Sequence, residues 1–267
     1  MRPAFLAAVL AALVPSMTGP VHAQDGIALF AAGSLRAAMG DVAKAHEAAG
    51  GARVVATFAP SGLLRDRIAG GEAAHVFASA NMEHPEALAR AGRSGPVVAF
   101  ARNQLCALLR PGLSLTPGEL LAAMLAPATR LATSTPRSDP AGDYAFEMFA
   151  RAERAQPGAK AALEGKALLL VGAAHSLQPP KDRGAYAWHI AEGRADIFVT
   201  YCTNGILARG ELPGSSVVDL PPELAVGAEY GMTLIAGAPD QARRFQDFVL
   251  SPAGQDVLAR HGFARVR

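Results

Sequence analysis

The sequence predicts an α/β protein of two lobes, each a mostly parallel sheet flanked by helices, with two crossing strands as the hinge. Three observations carry that expectation. Short apolar runs of strand type alternate with helical patterns along the whole chain, which is the mark of strand-helix units stacked into parallel sheets. The run at 97–100 is followed almost at once by another at 105–109, with Asn103 and Gln104 breaking the apolar pattern, as a strand passing between lobes would read. A late run at 230–236 follows Pro221-Pro222 and gives the chain a way back. The expected division is 24–101 and 228–267 for the first lobe and 102–227 for the second.

The first 23 residues are expected to lie outside the fold. Arg2 supplies a short positive start, 4–14 is apolar, and Val21-His22-Ala23 reads as a small-x-small cleavage site before Gln24, so the segment is read as a cleaved secretory signal. Its apolar run falls short of the ~18 residues needed to span a bilayer, and no cysteine stands at the cleavage point for acylation. An uncleaved anchor is the competing reading. Cleavage would leave 244 residues and lower the formal charge from +2 to +1 by removing Arg2.

Strand-like runs at 27–30 and 54–58 open the first lobe. Leu35, Ala38, Met39, Val42, Ala43 and His46 follow helical spacing, and Leu63, Leu64, Arg67 and Ile68 continue as a short helix stopped at Gly70-Gly71. A buried strand is expected at 76–78 and a helix at 85–91, opened by proline and closed by Gly92. The second series runs through strands at 131–133, 167–171 and 197–201, with helices from 142 to about 154 and from about 184 to 192. Helices at 239–250 and 252–261 end the chain, and no repeat or low-complexity tract interrupts it.

The near-neutral charge, with no basic stripe and no acidic tail, argues against nucleic acid or an anionic membrane as partner. Cys106 and Cys202 both fall in the second lobe, at or just beyond strand-like runs. A disulfide and two buried thiols are both open, since sequence does not set the Cα separation. His75, His175 and His189 show no metal-ligand spacing, and Asp139, Asp143, His175 and Cys202 form no regular cation-binding pattern, so no cation site is expected.

Two small-residue turns carry the chemistry. Ala31-Ala32-Gly33-Ser34-Leu35 and Ala59-Pro60-Ser61-Gly62-Leu63 each follow a strand-like run and enter a helical pattern, which makes each serine a candidate helix cap. Helix starts present outward N–H groups and about half a positive charge, so two brought together suit an oxyanion. Plain capping with no ligand is the competing reading. On the other side of the expected cleft, Pro140-Ala141-Gly142 opens a helix and Tyr201 ends a strand.

In these residues and others along the chain, the protein resembles the periplasmic molybdate-binding proteins of ABC transporters. The resemblance runs through Ala31 to Leu35, Phe58 to Gly62, Ala74-His75-Val76-Phe77-Ala78-Ser79-Ala80 and Pro140-Ala141-Gly142. It continues in Gly193-Arg194-Ala195-Asp196 with Val199-Thr200-Tyr201, and in Leu250-Ser251-Pro252-Ala253-Gly254-Gln255 with His261-Gly262-Phe263. It implies a type II periplasmic-binding-protein fold that takes molybdate, and tungstate beside it, without a cofactor. The anion would be delivered to a membrane permease driven by an ATPase. Carried over by position, it implies hydroxyls and nearby amides from Ser34 and Ser61, the Ala141 amide and the Tyr201 phenol as ligands. Arg183 falls where the family offers an aliphatic residue's amide, and Tyr201-Cys202-Thr203-Asn204 replaces an acidic ending.

A dehydrated oxyanion needs several converging donors more than it needs a counter-charge, which agrees with a cage of neutral groups. A second reading keeps the fold and pairs Arg183 and Lys181 with a carboxylate or phosphate group of another small anion. An enzyme is disfavoured, because neither serine sits in a Gly-x-Ser-x-Gly elbow and no phosphate-binding glycine loop follows a strand. A single-chain monomer is expected, since both lobes must dock on a permease.

Overall fold

A computed structural model describes residues 26–266. The expected signal segment therefore lies outside the described residues. The first half of the chain builds β1 (Ile27–Ala32), α1 (Arg36–Ala48), β2 (Val54–Ala59), α2 (Ser61–Ala69), β3 (Val76–Ser79) and α3 (Glu83–Arg90). Then follow β4 (Val98–Leu109), α4 (Leu120–Leu125), β5 (Leu131–Ser134), α5 (Pro140–Ala155), α6 (Ala159–Lys166) and β6 (Leu168–Val171). The remainder is α7 (Ala185–Ala191), β7 (Ile197–Tyr201), α8 (Cys202–Glu211), β8 (Ser216–Asp219), β9 (Gly227–Leu234), α9 (Asp240–Leu250) and α10 (Pro252–Arg260).

The strands lie in the order β2-β1-β3-β9-β4-β7-β5-β6, with β8 also on β4. The outer pairs β1/β2, β1/β3, β5/β6 and β5/β7 are parallel, while the pairs around β9 and β4 are antiparallel. This is the α/β periplasmic-binding-protein fold. β4 joins its two halves: residues 98–104 pair with β9, 105–109 with β7 and 106–109 with β8.

β4 runs unbroken through Asn103 and Gln104, where the sequence reads as a crossing strand with an interrupted apolar pattern. The polar side chain is tolerated because it is paired: Asn103 Nδ2 donates to Thr203 Oγ1 at 2.9 Å and to Tyr230 Oη at 3.2 Å, and its Oδ1 accepts from the Gln104 N–H. The ladder irregularity falls earlier, between Ala99 and Ala101.

The expected α1 face is the buried one, with Ala38, Met39, Val42, Ala43 and His46 turned to the core. Phe30, Leu64, Ile68, Phe77 and Leu88 fill the opposite side of the first sheet, and Leu108, Ala132, Ile190 and Phe198 a separate cluster in the second half. α4, α6, α8 and β8 were not anticipated. Three of these are short or weakly amphipathic, and α8 is continuous in sequence with the strand before it, so the apolar period is hard to separate. Cys106 on β4 and Cys202 at the start of α8 form a disulfide, with Cα atoms 4.8 Å apart, which settles the open choice.

Candidate functional site

β1 and β2 run parallel with Ala31 opposite Phe58 and Ala32 opposite Ala59, so both serine turns leave the same sheet edge. Neither serine caps its helix, which corrects the sequence expectation. A 3-10 turn over Gly33–Leu35 separates β1 from α1 and places Ser34 inside it, while Ser61 is already the first residue of α2, after an extended Pro60. Their hydroxyls are freed for longer reach. Ser34 Oγ is 3.0 Å from Tyr230 Oη, and Ser61 Oγ, fully buried, accepts from the Ala80 N–H at 3.1 Å.

Tyr201 arrives at the same place from the other half. Its Oη donates to the Ala80 carbonyl at 3.1 Å, so one residue, Ala80, ties Ser61 to Tyr201. The Tyr201 and Tyr230 rings are 5.5 Å apart with their hydroxyls in contact range, and burial pushes both phenols well above the usual tyrosine range. Three sequence-predicted residues, Ser34, Ser61 and Tyr201, thus converge where the halves meet.

The backbone closes the same seam. Gly62 N–H donates to the Ser138 carbonyl at 2.8 Å, so the start of α2 is plugged by the loop before α5. A Cβ on Gly62 would stand 2.3 Å from Arg137 O and 2.8 Å from Ser138 O, both immovable backbone atoms, and only glycine permits the approach. Gly142 plays the matching part within α5, where a Cβ would lie 2.5 Å from Ser134 O. That explains Pro140-Ala141-Gly142 as a packing motif.

Ala141 differs from the expectation. Asp139 is the N-cap of α5, and its Oδ1 accepts the Ala141 N–H at 3.0 Å, so the amide expected for a ligand is taken by a carboxylate. Burial without a cationic partner pushes the Asp139 carboxyl up to about 6. Arg183 also stands apart. Its N–H donates to Pro180 O, and its guanidinium Nε is 4.0 Å from a Glu211 carboxylate oxygen, while Lys181 is exposed. These partners belong to its own loop and to α8, not to the serine turns.

Asn103 donates to Tyr230 Oη, which lies 3.0 Å from Ser34 Oγ, and the Ala80 N–H fills one Ser61 lone pair. The first half therefore brings two serine hydroxyls to the seam. Beside this cluster a cavity of about 300 Å³ is lined by Asn81, Met82, Glu83, Asp143, Tyr144, Glu147 and Glu229. Arg151 and Arg102 pair with Glu147 and Glu229, while Asp143 accepts the Arg137 N–H at 2.7 Å and is pushed up mainly by burial.

His75 accepts the Ala28 N–H, His175 is exposed and His189 is buried beside Trp188. Among the described residues the one cluster with metal-ligand types is Cys106, Cys202 and Asp219, and its two sulfurs are bonded to each other. Sequence reasoning missed Asn103, Tyr230 and Ala80 as parts of the cluster. A polar residue inside an apolar strand was the available signal for Asn103; Tyr230 shows nothing local, and Ala80 acts only through its backbone.

The chain matches the family described as bacterial extracellular solute-binding proteins over residues 27–264. An uncharacterized protein of Pasteurella multocida is 34% identical over 77% of this chain and 85% of its own length. The molybdate-binding protein ModA of Escherichia coli is 27% identical over 95% of each chain. Among solved structures, the periplasmic molybdate-binding protein of Azotobacter vinelandii superposes with a TM-score of 0.73 at 20% identity, covering 90% of this chain and all of that one. The sulfate-binding protein SubI of Mycobacterium tuberculosis gives 0.72 at 18% identity, covering 90% and 86%.

Proposed function

Because this chain belongs to the bacterial extracellular solute-binding protein family, we propose that it captures a small oxyanion, molybdate first and tungstate beside it, in the periplasm. It would hand the anion to an ABC permease driven by an ATPase. The observation that carries the reading is the convergence of Ser34, Ser61 and Tyr201 at one seam, through Tyr230 and Ala80. The proposed lobes are 24–101 with 228–267, and 102–227, and closing them on the anion is the signal the permease reads. Molybdate is favoured over sulfate by the match to ModA along nearly the whole chain.

The family is one of transport proteins, and no catalytic step is assigned. The neutral donors suit a small anion recognised by shape and by its lone pairs. Tyr201 would exchange the Ala80 carbonyl for an anion oxygen as ligand enters. The alternative anion site at Arg183 and Lys181 gains no support, because Glu211 already faces Arg183.

Calorimetric titration with molybdate, tungstate, sulfate and phosphate tests this. Ser34→Ala and Ser61→Ala are each expected to weaken molybdate binding by about 1 to 3 kcal/mol, as for one hydrogen bond to a charged group. Arg183→Ala should leave it unchanged. Two serine variants with wild-type affinity would remove the site.

A further inference from the structure

Resting on the oxyanion reading above, we infer that Asn103 is a positioning residue of the anion site: it sets the Ser34 hydroxyl through Tyr230 and anchors that arm to the second half through Thr203. Asn103 stands where β4 passes from its pairing with β9 to its pairing with β7, at the joint between the halves. Its side chain is buried, and so are Thr203 and Tyr230. One amide nitrogen reaches both. Nδ2 is 2.9 Å from Thr203 Oγ1 and 3.2 Å from Tyr230 Oη, and Tyr230 Oη is 3.0 Å from Ser34 Oγ.

The amide can stand only one way round. The Gln104 N–H, a donor and nothing else, lies 2.9 Å from the other branch of the side chain, so that branch is the oxygen and the NH2 group faces the two hydroxyls. An NH2 group has two protons and accepts none, so Thr203 and Tyr230 both accept from it. Tyr230 then has its own proton to place, and Ser34 Oγ is within reach of it. Ser34, accepting there, turns its proton toward the site. Without the Asn103 donor, the Tyr230 oxygen would compete with an anion for that same proton.

The anchoring end is fixed as firmly. Thr203 follows Cys202, whose disulfide returns to Cys106 on β4 just beyond Asn103, and Tyr201 directly precedes that cysteine. The arms that carry Ser34 and Tyr201 thus meet at one amide. Arg102 and Glu229, the sequence neighbours of Asn103 and Tyr230, pair with each other at 3.0 Å and are exposed, so the arm itself is built of neutral groups. A role in packing alone would need no donor toward Tyr230, since an apolar side chain continues a buried strand at lower cost.

Molybdate titrations of the intact mature protein in double-mutant cycles test the inference. Asn103→Asp keeps the shape and the acceptor for the Gln104 N–H but turns the donor into an acceptor. Tyr230 then gives its proton to the new carboxylate and draws the Ser34 proton back. Molybdate affinity should fall about tenfold, as for one misdirected hydrogen bond to a charged group. In a Ser34→Ala background the same change should cost less than about twofold, because the hydroxyl it acts on is gone. Equal losses in both backgrounds would reveal a general charge effect and overturn the inference.

A neutral pair of variants decides the matter if Asn103→Asp does not fold. Tyr230→Phe removes the relaying hydroxyl and keeps the ring against Phe100 and Phe263. Asn103→Ala alone should weaken molybdate binding about fivefold, and should add nothing in the Tyr230→Phe background. An undiminished further loss there, or wild-type affinity in both Asn103→Ala and Tyr230→Phe, would overturn the inference while leaving the oxyanion reading intact. Failure of the wild type to bind any oxyanion would remove that reading, and this inference with it.

Discussion

At the scale of single residues, the strongest charge in the second half is one buried carboxylate rather than a surface pair. Asp196 receives the Arg110 Nε at 3.0 Å, the Arg130 Nη2 at 2.7 Å and the Arg130 N–H at 2.9 Å, so it fastens the end of β4 to the start of β5 just before β7. Those partners hold its carboxyl down to about 2. The folded value lies below the unfolded one, so the stabilisation is complete above about pH 4 and is lost as pH falls toward 2. Both arginines are about half exposed, at 46% and 50%, so solvent screening reduces the contribution to about 1–2 kcal/mol. Asp196→Asn should lower stability by that amount at pH 7 in urea unfolding, with the difference vanishing near pH 2; an unchanged midpoint at pH 7 would contradict it. The same scale shows why Ser34 and Ser61 were legible as a pair and misread as caps. Their position after a strand is written in the sequence, but the 3-10 turn at Gly33–Leu35 and the reach to Tyr230 and Ala80 depend on residues far along the chain.

Between elements, the disulfide from Cys106 to Cys202 closes a loop of 96 residues and fixes the first residue of α8 to β4. Restricting the unfolded chain over such a loop is worth about 2–4 kcal/mol. Cys106→Ser with Cys202→Ser should lower stability by that much, and reduction of the wild type should bring its unfolding curve onto the variant's; a reduced wild type as stable as the oxidised one would argue otherwise. The corner also carries Tyr201 and Thr203 on either side of Cys202, and Thr203 accepts from Asn103 in the middle of β4. Long periodic elements such as α1 and α9 were readable because one face is apolar at helical spacing. The crossing β4 was readable as well, although Asn103 breaks its apolar pattern; what the sequence hides is that Thr203 and Tyr230 satisfy that side chain. The second-half wall was legible only as a place of departure: Asp139 was visible, but that it would cap Ala141 and take its amide requires the turn geometry.

For the whole molecule, the decisive contact is the one that holds the halves together across the seam. Gly62 in the first turn of α2 touches Arg137 and Ser138 of the opposing loop through backbone atoms, and the seam admits nothing larger than hydrogen there. Alanine at this position separates two effects that a destabilising mutation would mix. Within its own half, Gly62→Ala replaces the poorest ordinary helix former by the best, so the helix should gain up to about 1 kcal/mol, less at a first-turn site. Across the seam, the added methyl would overlap the two carbonyls and hold the halves apart, withdrawing Ser61 and Ala80 from Tyr201. The expected variant has a larger radius of gyration in small-angle scattering and molybdate affinity reduced at least tenfold, while the helix gain offsets part of the stability lost with the seam contacts. Wild-type affinity together with a wild-type radius would mean that the α2 start and the loop before α5 need not meet for the anion to be held.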